Sequence, residues 1–327
     1  MLETLPFLER SPTILDDLLW RELIDGLSPQ PSDDTPLPDD WQGWLAAVFP
    51  SYLWPPYAAY HVQFWEWVWS IEAGEGIAPF VAAWARGYAK SASVEAAAAI
   101  LGARKRRVYG LYVSNSQDQA DTHVQNIGGM LESPAFAKHF PAMSRRKIGK
   151  YGNPQGWRRN RLRTESGFTI DALGLDTAAR GAKIDESRPD LIIFDDVDEL
   201  LDTPATVSKK QELITKSIIP AGVPGKTAIL VAQNLIHEDG IVARLCSTNP
   251  EKRATYLANR IVSGPHPAID GLVTEQRDGR TVIVAGESTW GGRSLESLQA
   301  EIVDLGISAF LAECQHDVTI LEGGIFG

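Results

Sequence analysis

From residue 60 to about residue 263, short apolar runs alternate with segments of helical pattern. The apolar runs are Ile77–Ala83, Arg107–Ser114, Leu191–Phe194 and Lys226–Ala232. Runs this short and apolar are typical of strands buried on both faces, which occur mainly in parallel sheets covered by helices. The pattern therefore predicts an α/β fold with a mostly parallel central sheet flanked by helices.

Helices and one hairpin fill the intervals between these strands. Helical patterns cover His61–Ser70, Ser91–Ala103, Gln117–Leu131, Ser208–Lys216 and Asp239–Cys246. The segment Arg161–Ala172 alternates in the manner of a β-hairpin that turns at Ser166 and Gly167. Each apolar strand is thus followed by a segment that could cover the sheet.

Composition divides the chain into three predicted parts. Residues 1–59 are acidic and rich in Pro and Trp, and we expect an N-terminal appendage with short helices at Ile14–Leu27 and Trp41–Phe49. Residues 60–263 form the core, and residues 264–327 a small linker or lid subdomain. In that last part, Ser294–Leu305 is predicted to be a helix that Gly306 ends.

The composition excludes several protein classes. A hydrophobic content of 44% and a charged content of 22% are those of a globular protein, and the net charge of −11 argues against indiscriminate nucleic-acid binding. Two cysteines, Cys246 and Cys314, cannot make a disulfide framework and favour a reducing compartment. Without a secretory signal or an apolar run of about 18 residues, the sequence predicts a cytoplasmic protein.

Positive charge is concentrated in the middle of the chain. The segment Ser144–Arg163 contains eight cations and no acid. Cations on a loop can contact a phosphate backbone, so the segment predicts contact with DNA or with a neighbouring subunit. A solvated loop is the alternative. The candidate contact residues are Arg145, Arg146, Lys147, Lys150, Arg158 and Arg159.

The segment Trp84–Ser91 reads W-A-R-G-Y-A-K-S, a variant of the phosphate-binding loop G-x-x-x-x-G-K-[ST]. Trp84 and Ala89 stand where the motif has glycine, and the Ala costs more if the loop needs positive φ there. Lys90 would contact the β- and γ-phosphates and Ser91 would hold Mg²⁺. The alternative is an ordinary strand, turn and helix with a solvated lysine. The predicted phosphate-binding residues are Arg86, Gly87, Tyr88, Ala89, Lys90 and Ser91.

Two carboxylates follow the strand of R-P-D-L-I-I-F-D-D. Asp195 and Asp196 would emerge at its carboxyl end, where ligands bind in open α/β sheets. We expect Asp195 to hold the Mg²⁺ shell and Asp196 to polarise the attacking water, with Glu199 as an alternative base. A solvated acidic turn is the other interpretation, because D-D-V-D-E is also a plain run of charge.

In the order of these motifs, the chain resembles the large subunit of phage terminase, the ATPase that packages viral DNA into a procapsid. A-R-G-Y-A-K-S looks like that family's variant loop, and R-P-D-L-I-I-F-D-D is similar to its acidic motif. Val231–Leu245 resembles its coupling motif, although Gln233 stands where Thr or Ser is more usual. Ala178–Gly181 resembles an Arg-Gly element, and His61–Trp65 an adenine-contacting segment. The sequence F-L-A-E-C-Q-H-D resembles the junction that leads to the family's nuclease domain.

The resemblance implies roles for further residues. The fold would be a RecA-like, additional-strand P-loop ATPase that uses ATP and Mg²⁺. Arg180 would act in trans on a neighbouring subunit's site, and Arg86 would sense phosphate in cis. Gln233 and Asn234 would couple loss of the γ-phosphate to movement, or they are simply polar residues that end a strand. The implied adenine contacts are His61 and Gln63.

The resemblance also implies a setting and partners. The chain would be the ATPase part without the nuclease domain, docked transiently at the viral procapsid portal in the host cytoplasm. Its partners would be double-stranded DNA, the portal protein, the small terminase subunit and further copies in a ring, expected to be a pentamer. Two other functions stay open: a degenerate nucleotide-binding scaffold without turnover, and a helicase-like ATPase.

Overall fold

The computed structural model describes residues 36–51, 56–150, 152, 155–178 and 187–318. The helices are α1 (Trp41–Val48), α2 (Ala59–Trp69), α3 (Lys90–Ala103), α4 (Gln117–Leu131), α5 (Pro134–His139), α6 (Pro141–Ser144), α7 (Leu175–Ala178), α8 (Pro204–Leu213), α9 (Ile219–Ala221), α10 (Ile241–Cys246), α11 (Leu295–Leu305) and α12 (Ile307–Gln315). A π-helical turn, Ile214–Ile218, joins α8 to α9.

Ten strands are present in the described ranges. They are β1 (Phe80–Trp84), β2 (Tyr109–Ser114), β3 (Trp157–Arg158), β4 (Arg161–Arg163), β5 (Thr169–Gly174), β6 (Leu191–Asp195), β7 (Ala228–Ala232), β8 (Ile261–His266), β9 (Ile269–Arg277) and β10 (Arg280–Ser288). Eight of them form one sheet in the order β3-β4-β5-β2-β6-β7-β1-β8, while β9 and β10 form a separate hairpin.

The central sheet is mostly parallel, which confirms the predicted fold class. Strands β5, β2, β6, β7, β1 and β8 pair in parallel, and only β3 and β4 run antiparallel at one edge. Strand β7 lies between β1 and β6. Strand β1 leads into Trp84–Ser91, the segment predicted to bind phosphate and here called the phosphate loop, and β6 leads into the acid pair. This interposed strand is the additional strand of the predicted RecA-like arrangement.

Both faces of the sheet are covered by apolar side chains. Along β1, Phe80, Ala82 and Trp84 belong to one core cluster, together with side chains of α2, α3 and α4. The alternate residues Val81 and Ala83 belong to a second cluster with side chains of α8 and α10. Strands buried on both sides in this way need the continuous apolar runs that the sequence shows.

The N-terminal side of the core includes part of the expected appendage. Helix α1 packs through Trp41 and Leu45 into the same cluster as α2, and the Asp40 side chain caps it by accepting from Gly43 N at 2.7 Å. The other expected helix, Ile14–Leu27, lies outside the described residues. The division of the chain at residue 60 stays a prediction.

The sheet extends further toward the C-terminus than predicted. Strand β8 runs beside β1 past residue 263, where the core was expected to end. Gly264 allows this approach: its φ is +115°, and a Cβ there would lie 2.2 Å from Ala83 O. Helix α12 was also not predicted, whereas α11 begins after the Ser294 N-cap and ends at Gly306 as expected.

Within the described ranges, no helix is both long and apolar enough to span a membrane.

Candidate nucleotide-binding site

The carboxyl ends of β1, β6 and β7 open onto a cavity of about 760 Å³. Parallel strands end at a common edge, so residues that are distant in sequence meet there. The cavity is of the size that binds small ligands in proteins. Its lining residues are Arg86, Gly87, Ala89, Lys90, Ser91, Ala92, Gln119, Asp196, Asp198, Glu199, Leu200, Leu201, Gln233, Asn234, Ile236 and Glu313.

Lys90 is the first residue of α3 and is buried beside the acid pair. Its Nζ donates to the Ala85 carbonyl at 3.1 Å, so the side chain folds back across the loop. Burial lowers the pKa of Lys90, while Asp196 and Asp195 act in the opposite direction. The structure therefore brings together the lysine and the two carboxylates that the sequence singled out. A further anion in the cavity would stabilise the charged form of an ammonium buried in this way.

The loop before α3 adopts positive φ at two places. Gly87 has φ +75°, which glycine adopts without cost. Ala89 has φ 58° and ψ 21°, the left-handed region, at the position where the motif has its second glycine. An L-residue in that region costs roughly 1–2 kcal/mol. The loop thus needs the backbone conformation that glycine would supply, and the alanine adopts it under strain.

Tyr88 and His61 support the loop from behind. The Tyr88 side chain is buried and donates to Ala268 O at 2.8 Å, which leaves only its backbone for a phosphate role. His61 Nδ1 accepts from Ala58 N at 3.1 Å, so Nε2 carries the proton and donates to Tyr88 O at 3.1 Å. Burial lowers the pKa of His61 to about 4.

The expected adenine contacts do not line the cavity. Both ring nitrogens of His61 are already hydrogen-bonded, and the ring lies edge-on to Trp84 and Trp290 in the core. Gln63 is exposed on α2. In this structure His61 holds the phosphate loop in place, and no adenine-binding geometry is formed by these two side chains.

Asp195 ends β6 and is fully buried next to the loop. Tyr112 OH donates to its Oδ2 at 2.6 Å. Its Oδ1 has no hydrogen-bond partner in the described part of the chain, although the Ser91 hydroxyl is near enough to lower the carboxyl's pKa. Burial nevertheless raises the pKa of Asp195 overall.

The Asp195 oxygen without a described hydrogen-bond partner, Oδ1, bears on whether the site suits Mg²⁺. A buried acceptor without a partner costs about 1–3 kcal/mol, and a bound cation or its water would satisfy it. In the described ranges, no cluster of three or more His, Cys, Asp or Glu side chains could hold a metal by itself. Magnesium in nucleotide sites needs only one or two carboxylates besides the phosphates and water. Ser91 and Asp195 therefore fit a Mg²⁺ that arrives with a nucleotide.

Asp196 faces the cavity and sits in strained backbone. Its φ is 50°, in the left-handed region. Burial raises the pKa of Asp196 to about 6, and the Asp195 charge adds to the rise. Non-glycine residues held in such conformations cluster at functional sites. Glu199 is exposed and also lines the cavity, so both candidate bases reach it.

The acidic run is not a solvated turn. Asp198 is buried, and its carboxylate accepts from Ile241 N at 2.7 Å and Val242 N at 2.9 Å at the start of α10. Gln233 Oε1 accepts from Val197 N at 2.9 Å and Asp198 N at 3.0 Å. Gln233 thus fastens the end of β7 to the loop that contains the acid pair.

Asn234, the next residue, is fastened to α12 instead. Its Nδ2 donates to the Glu313 carbonyl at 3.1 Å and to Glu313 Oε2 at 3.0 Å. The same Oε2 lies 3.6 Å from Arg86 Nη1, and Arg86 N donates to Glu313 O at 3.2 Å. Asn234, predicted to couple phosphate loss to movement, and Arg86, predicted to sense phosphate, therefore both contact Glu313.

Sequence reasoning missed Glu313, Gln119 and the buried residues behind Asp195. Glu313 is visible in the sequence only within F-L-A-E-C-Q-H-D, as part of a junction, with no sign that it would return to the phosphate loop. His123 has no metal-ligand spacing and so carries no signal of a role. Pairings across long stretches of chain leave no local signal in a single sequence.

The predicted contact residues of the basic segment do not line the cavity. Arg180 falls outside the described residues, so its position stays open. The predicted contact residues of the basic segment are all exposed. Arg145 pairs with Glu165 at 2.5 Å, Arg146 lies 3.7 Å from Glu132, and Arg159 pairs with Asp118 at 2.8 Å. The other three are Lys147, Lys150 and Arg158, which form no ion pair with another described residue.

No protein-family model matches the chain, and no curated protein matches it. Among solved structures, the chain is similar to the ATPase domain of the large terminase of Thermus phage P74-26, with 14% identity and a TM-score of 0.38 over 63% of this chain and 70% of that one. A mutant of that domain matches with 16% identity and a TM-score of 0.40, covering 64% of this chain and 71% of that one. Scores this low leave the function to be judged from the cavity itself.

Proposed function

We propose that this chain is a Mg²⁺-dependent ATPase and that its hydrolysis of ATP drives DNA movement in a phage packaging motor. The observation that supports ATP hydrolysis is the meeting of Lys90, at the start of α3, with Asp195 and Asp196, at the end of β6, beside one cavity. Phosphoryl transfer needs little covalent chemistry from a protein beyond positioned charge, and this cavity offers positive and negative groups side by side.

Each group has a definite task in this proposal. Lys90 leaves the Ala85 carbonyl and donates to the β- and γ-phosphate oxygens, while Arg86 approaches the γ-phosphate from the exposed side. Ser91 and Asp195 would hold Mg²⁺, which neutralises charge on the phosphates. The start of α3 directs backbone N–H groups toward the same oxygens.

Asp196 is the proposed group that orients water and accepts its proton. The water attacks the γ-phosphorus in line, the bond to the ADP oxygen breaks, and inorganic phosphate and ADP leave. Asp196 is shorter than the glutamate usual at this position, so Glu199 stays the alternative base. Raised pKa and strained backbone both favour Asp196 over the exposed Glu199.

Coupling would run through the end of β7. Gln233 holds the acidic loop and Asn234 holds α12, so a change in the acidic loop on phosphate loss reaches the C-terminal helix through two adjacent residues. Arg180 would complete a neighbouring subunit's site in a ring, expected to be a pentamer.

The basic segment is the proposed DNA contact. Arg159 joins it to the first turns of α4, at 2.8 Å from Asp118 and 3.4 Å from Asp121, and Gln119 in the same turn lines the cavity. Lys147, Lys150 and Arg158 remain exposed for phosphates of double-stranded DNA. The portal protein and the small terminase subunit would be the protein partners at the procapsid.

Phosphate release from purified protein tests the enzymatic part. We expect wild-type protein to hydrolyse ATP with Mg²⁺, and Lys90→Ala to lose at least about a hundredfold in rate, since the loop lysine acts on the transferred group. Lys209→Ala, an exposed lysine on α8, is the matched control and should hydrolyse like wild type. Equal rates in Lys90→Ala and Lys209→Ala would reject the assignment.

A nucleotide-binding scaffold without turnover is the second candidate. The short Asp196 and the Glu313 carboxylate in the cavity favour it, since the latter places negative charge where a phosphate would bind. Tight Mg-ATP binding with no phosphate release, with or without DNA, would support the scaffold and exclude the motor.

DNA binding as a function of salt tests the basic segment. Replacing Lys147, Lys150 and Arg158 together by Ala should weaken binding to duplexes of any sequence and lower the salt slope by about 3, roughly one for each phosphate that is no longer neutralised. The triple variant Lys209→Ala, Lys216→Ala and Lys252→Ala removes the same charge elsewhere on the exposed surface. Identical salt slopes in both variants would exclude this surface.

A further inference from the structure

The turn between β10 and α11 packs against the phosphate loop and has no task in the proposed function. It reads W-G-G-R, from Trp290 to Arg293. Trp290 is buried, its Nε1 donates to Pro56 O at 2.7 Å, and its ring centroid lies 5.7 Å from that of Tyr88. Arg293 N donates to Trp290 O at 3.0 Å, which closes the turn. The turn is thereby fixed next to the loop.

The Arg293 side chain lies against Gly87 of the phosphate loop. A Cβ at residue 87 would come within 2.6 Å of Arg293 Nη1, so only glycine leaves room for the guanidinium in this position. Gly87 is one of the residues that line the cavity. A cation from the C-terminal part of the chain is thus held against the loop at the edge of the cavity.

The nitrogens of this guanidinium are unequally used. Nη2 pairs with Glu301 Oε2 at 2.5 Å, and Nε donates to Ser297 Oγ at 3.5 Å, both on α11. In the part of the chain that the structure describes, no acceptor takes a hydrogen bond from Nη1. Guanidinium N–H groups bind phosphate oxygens through charge-assisted hydrogen bonds. The Nη1 side of Arg293 therefore has the chemistry of an anion contact.

Arg293 is the less exposed of two arginines at the loop. Arg86 lies 3.6 Å from Glu313 and its side chain is 62% exposed, whereas the Arg293 side chain is 23% exposed. Each arginine is held beside the loop by one glutamate of the C-terminal helices. Solvent and salt screen a charge less when it is partly buried. A phosphate at the loop should therefore gain more from Arg293 than from Arg86.

We propose that Arg293 is a further phosphate-binding residue of the nucleotide site: Glu301 holds Nη2, and Nη1 donates to a phosphate oxygen of a nucleotide bound at the loop. The proposal rests on the proposed function, because it requires the loop to bind the phosphates of ATP. The chemistry that Arg293 recognises is the polyphosphate, and neither the ribose nor the adenine.

The test measures the binding of two probes. Calorimetry in the presence of Mg²⁺ gives the Kd of a non-hydrolysable ATP analogue and that of inorganic tripolyphosphate. In Arg293→Gln both Kd values should rise about tenfold, because a charge-assisted hydrogen bond is lost. Arg293→Lys keeps a cation without the planar fork and should lose less. Added salt should weaken binding to wild type more steeply than binding to Arg293→Gln.

Matched variants separate phosphate contact from packing. Arg280→Gln removes an exposed arginine of β10 and should leave both Kd values unchanged. Glu301→Gln breaks the ion pair but keeps the guanidinium, so its Kd values should stay within about twofold of wild type. Arg293→Gln combined with Glu301→Gln should bind as weakly as Arg293→Gln alone. This double variant leaves no unpaired glutamate, so it replaces Arg293→Gln if that protein does not fold.

Three results would overturn the role of Arg293 alone. The first is equal Kd values for Arg280→Gln and the folded Arg293 variants. The second is a loss in Glu301→Gln as large as in Arg293→Gln, which would mean that the ion pair acts through packing. The third is a loss confined to the ATP analogue, or a wild type that binds this analogue without binding tripolyphosphate, since recognition would then lie at the nucleoside.

Failure of the proposed function has a different signature. A wild-type protein that binds neither the ATP analogue nor tripolyphosphate overturns the proposed function, and the inference with it.

Discussion

At the scale of single residues, Ala89 shows what the phosphate loop demands. The loop has its second glycine position at residue 89, and the backbone there is left-handed with φ 58°. Alanine at this φ stores strain, whereas glycine adopts it freely at the cost of more freedom in the unfolded chain. The residue departs from the motif, while the backbone adopts the positive φ that the motif's glycine permits.

Ala89→Gly should therefore stabilise the protein. Relief of roughly 1–2 kcal/mol of strain, less about 0.5–1 kcal/mol of added chain entropy, gives an expected gain of about 0.5–1 kcal/mol in the free energy of unfolding. Urea denaturation measures it. Ala300→Gly, at an exposed position inside α11, is the control and should lose about 1 kcal/mol. A loss of similar size in both variants would show that residue 89 is not strained.

Single residues also show which features a single sequence can single out. Lys90 and Asp196 could be singled out because each ends a recognisable local pattern, a strand and loop before a helix in one case and an apolar strand in the other. The contact of His61 with Tyr88 O could not be anticipated, since it depends on how α2 packs against the loop. Glu313 and His123 could not be found, because their partners are set only by the folded sheet.

At the scale of elements, the end of β7 joins two moving parts of the proposed mechanism. Gln233 binds the backbone of the acidic loop, and Asn234 binds α12 through Glu313. The Glu313 carboxylate also faces Arg86 and interacts electrostatically with Lys90. Helix α12 thus presents an anion to the groups proposed to bind phosphate.

Glu313→Gln should raise the affinity for ATP. A phosphate that replaces the Glu313 carboxylate beside Arg86 and Lys90 meets less repulsion when that charge is absent. The Arg86 side chain is 62% exposed, so the effect is modest, at most about fivefold in Kd, or about 1 kcal/mol. Titration calorimetry with a non-hydrolysable analogue measures it.

A second glutamate, on the neighbouring helix α11, provides the control for Glu313→Gln. Glu296→Gln removes the same charge from the exposed first turn of α11 and should leave Kd unchanged. Weaker binding in Glu313→Gln than in Glu296→Gln would mean that Glu313 helps to hold the nucleotide instead of competing with it.

Elements differ in how well their bounds follow from sequence. Helix α4 has the bounds that the sequence predicts, and the structure shows what sets its start: Ser116 caps it and Gln119 completes a capping box. Strand β8 was missed, since it contains a Gly-Pro pair and its burial alternates irregularly. The parallel strands were recognised because burial on both faces requires continuous apolar sequence.

At the scale of the whole molecule, buried histidines make stability depend on pH. Burial lowers the pKa of His61 to about 4, below its ordinary value of 6.5. His61 therefore stays neutral in the folded protein, while the unfolded chain takes up a proton as the pH falls through 6.5. The folded state loses stability between pH 6.5 and about 4, and the loss from this one group reaches about 2 kcal/mol at pH 5.

The comparison with His61→Gln isolates this effect. Urea unfolding at about pH 8 and at about pH 5 should show a loss in wild type that exceeds the loss in His61→Gln by about 2 kcal/mol. His316, whose pKa burial also lowers to about 4, is present in both proteins and cancels from the difference. Equal losses in the two proteins would mean that His61 takes up its proton in the fold as easily as in the unfolded chain.

The affinity for Mg-ATP in Lys90→Ala tests the central claim most directly, because that claim is that one cavity binds a triphosphate between the lysine of α3 and the acids of β6. Titration calorimetry with a non-hydrolysable ATP analogue and Mg²⁺ should give equal Kd values for wild type and Lys209→Ala, and a value at least about tenfold higher for Lys90→Ala. Wild-type affinity in a folded Lys90→Ala protein would contradict the account.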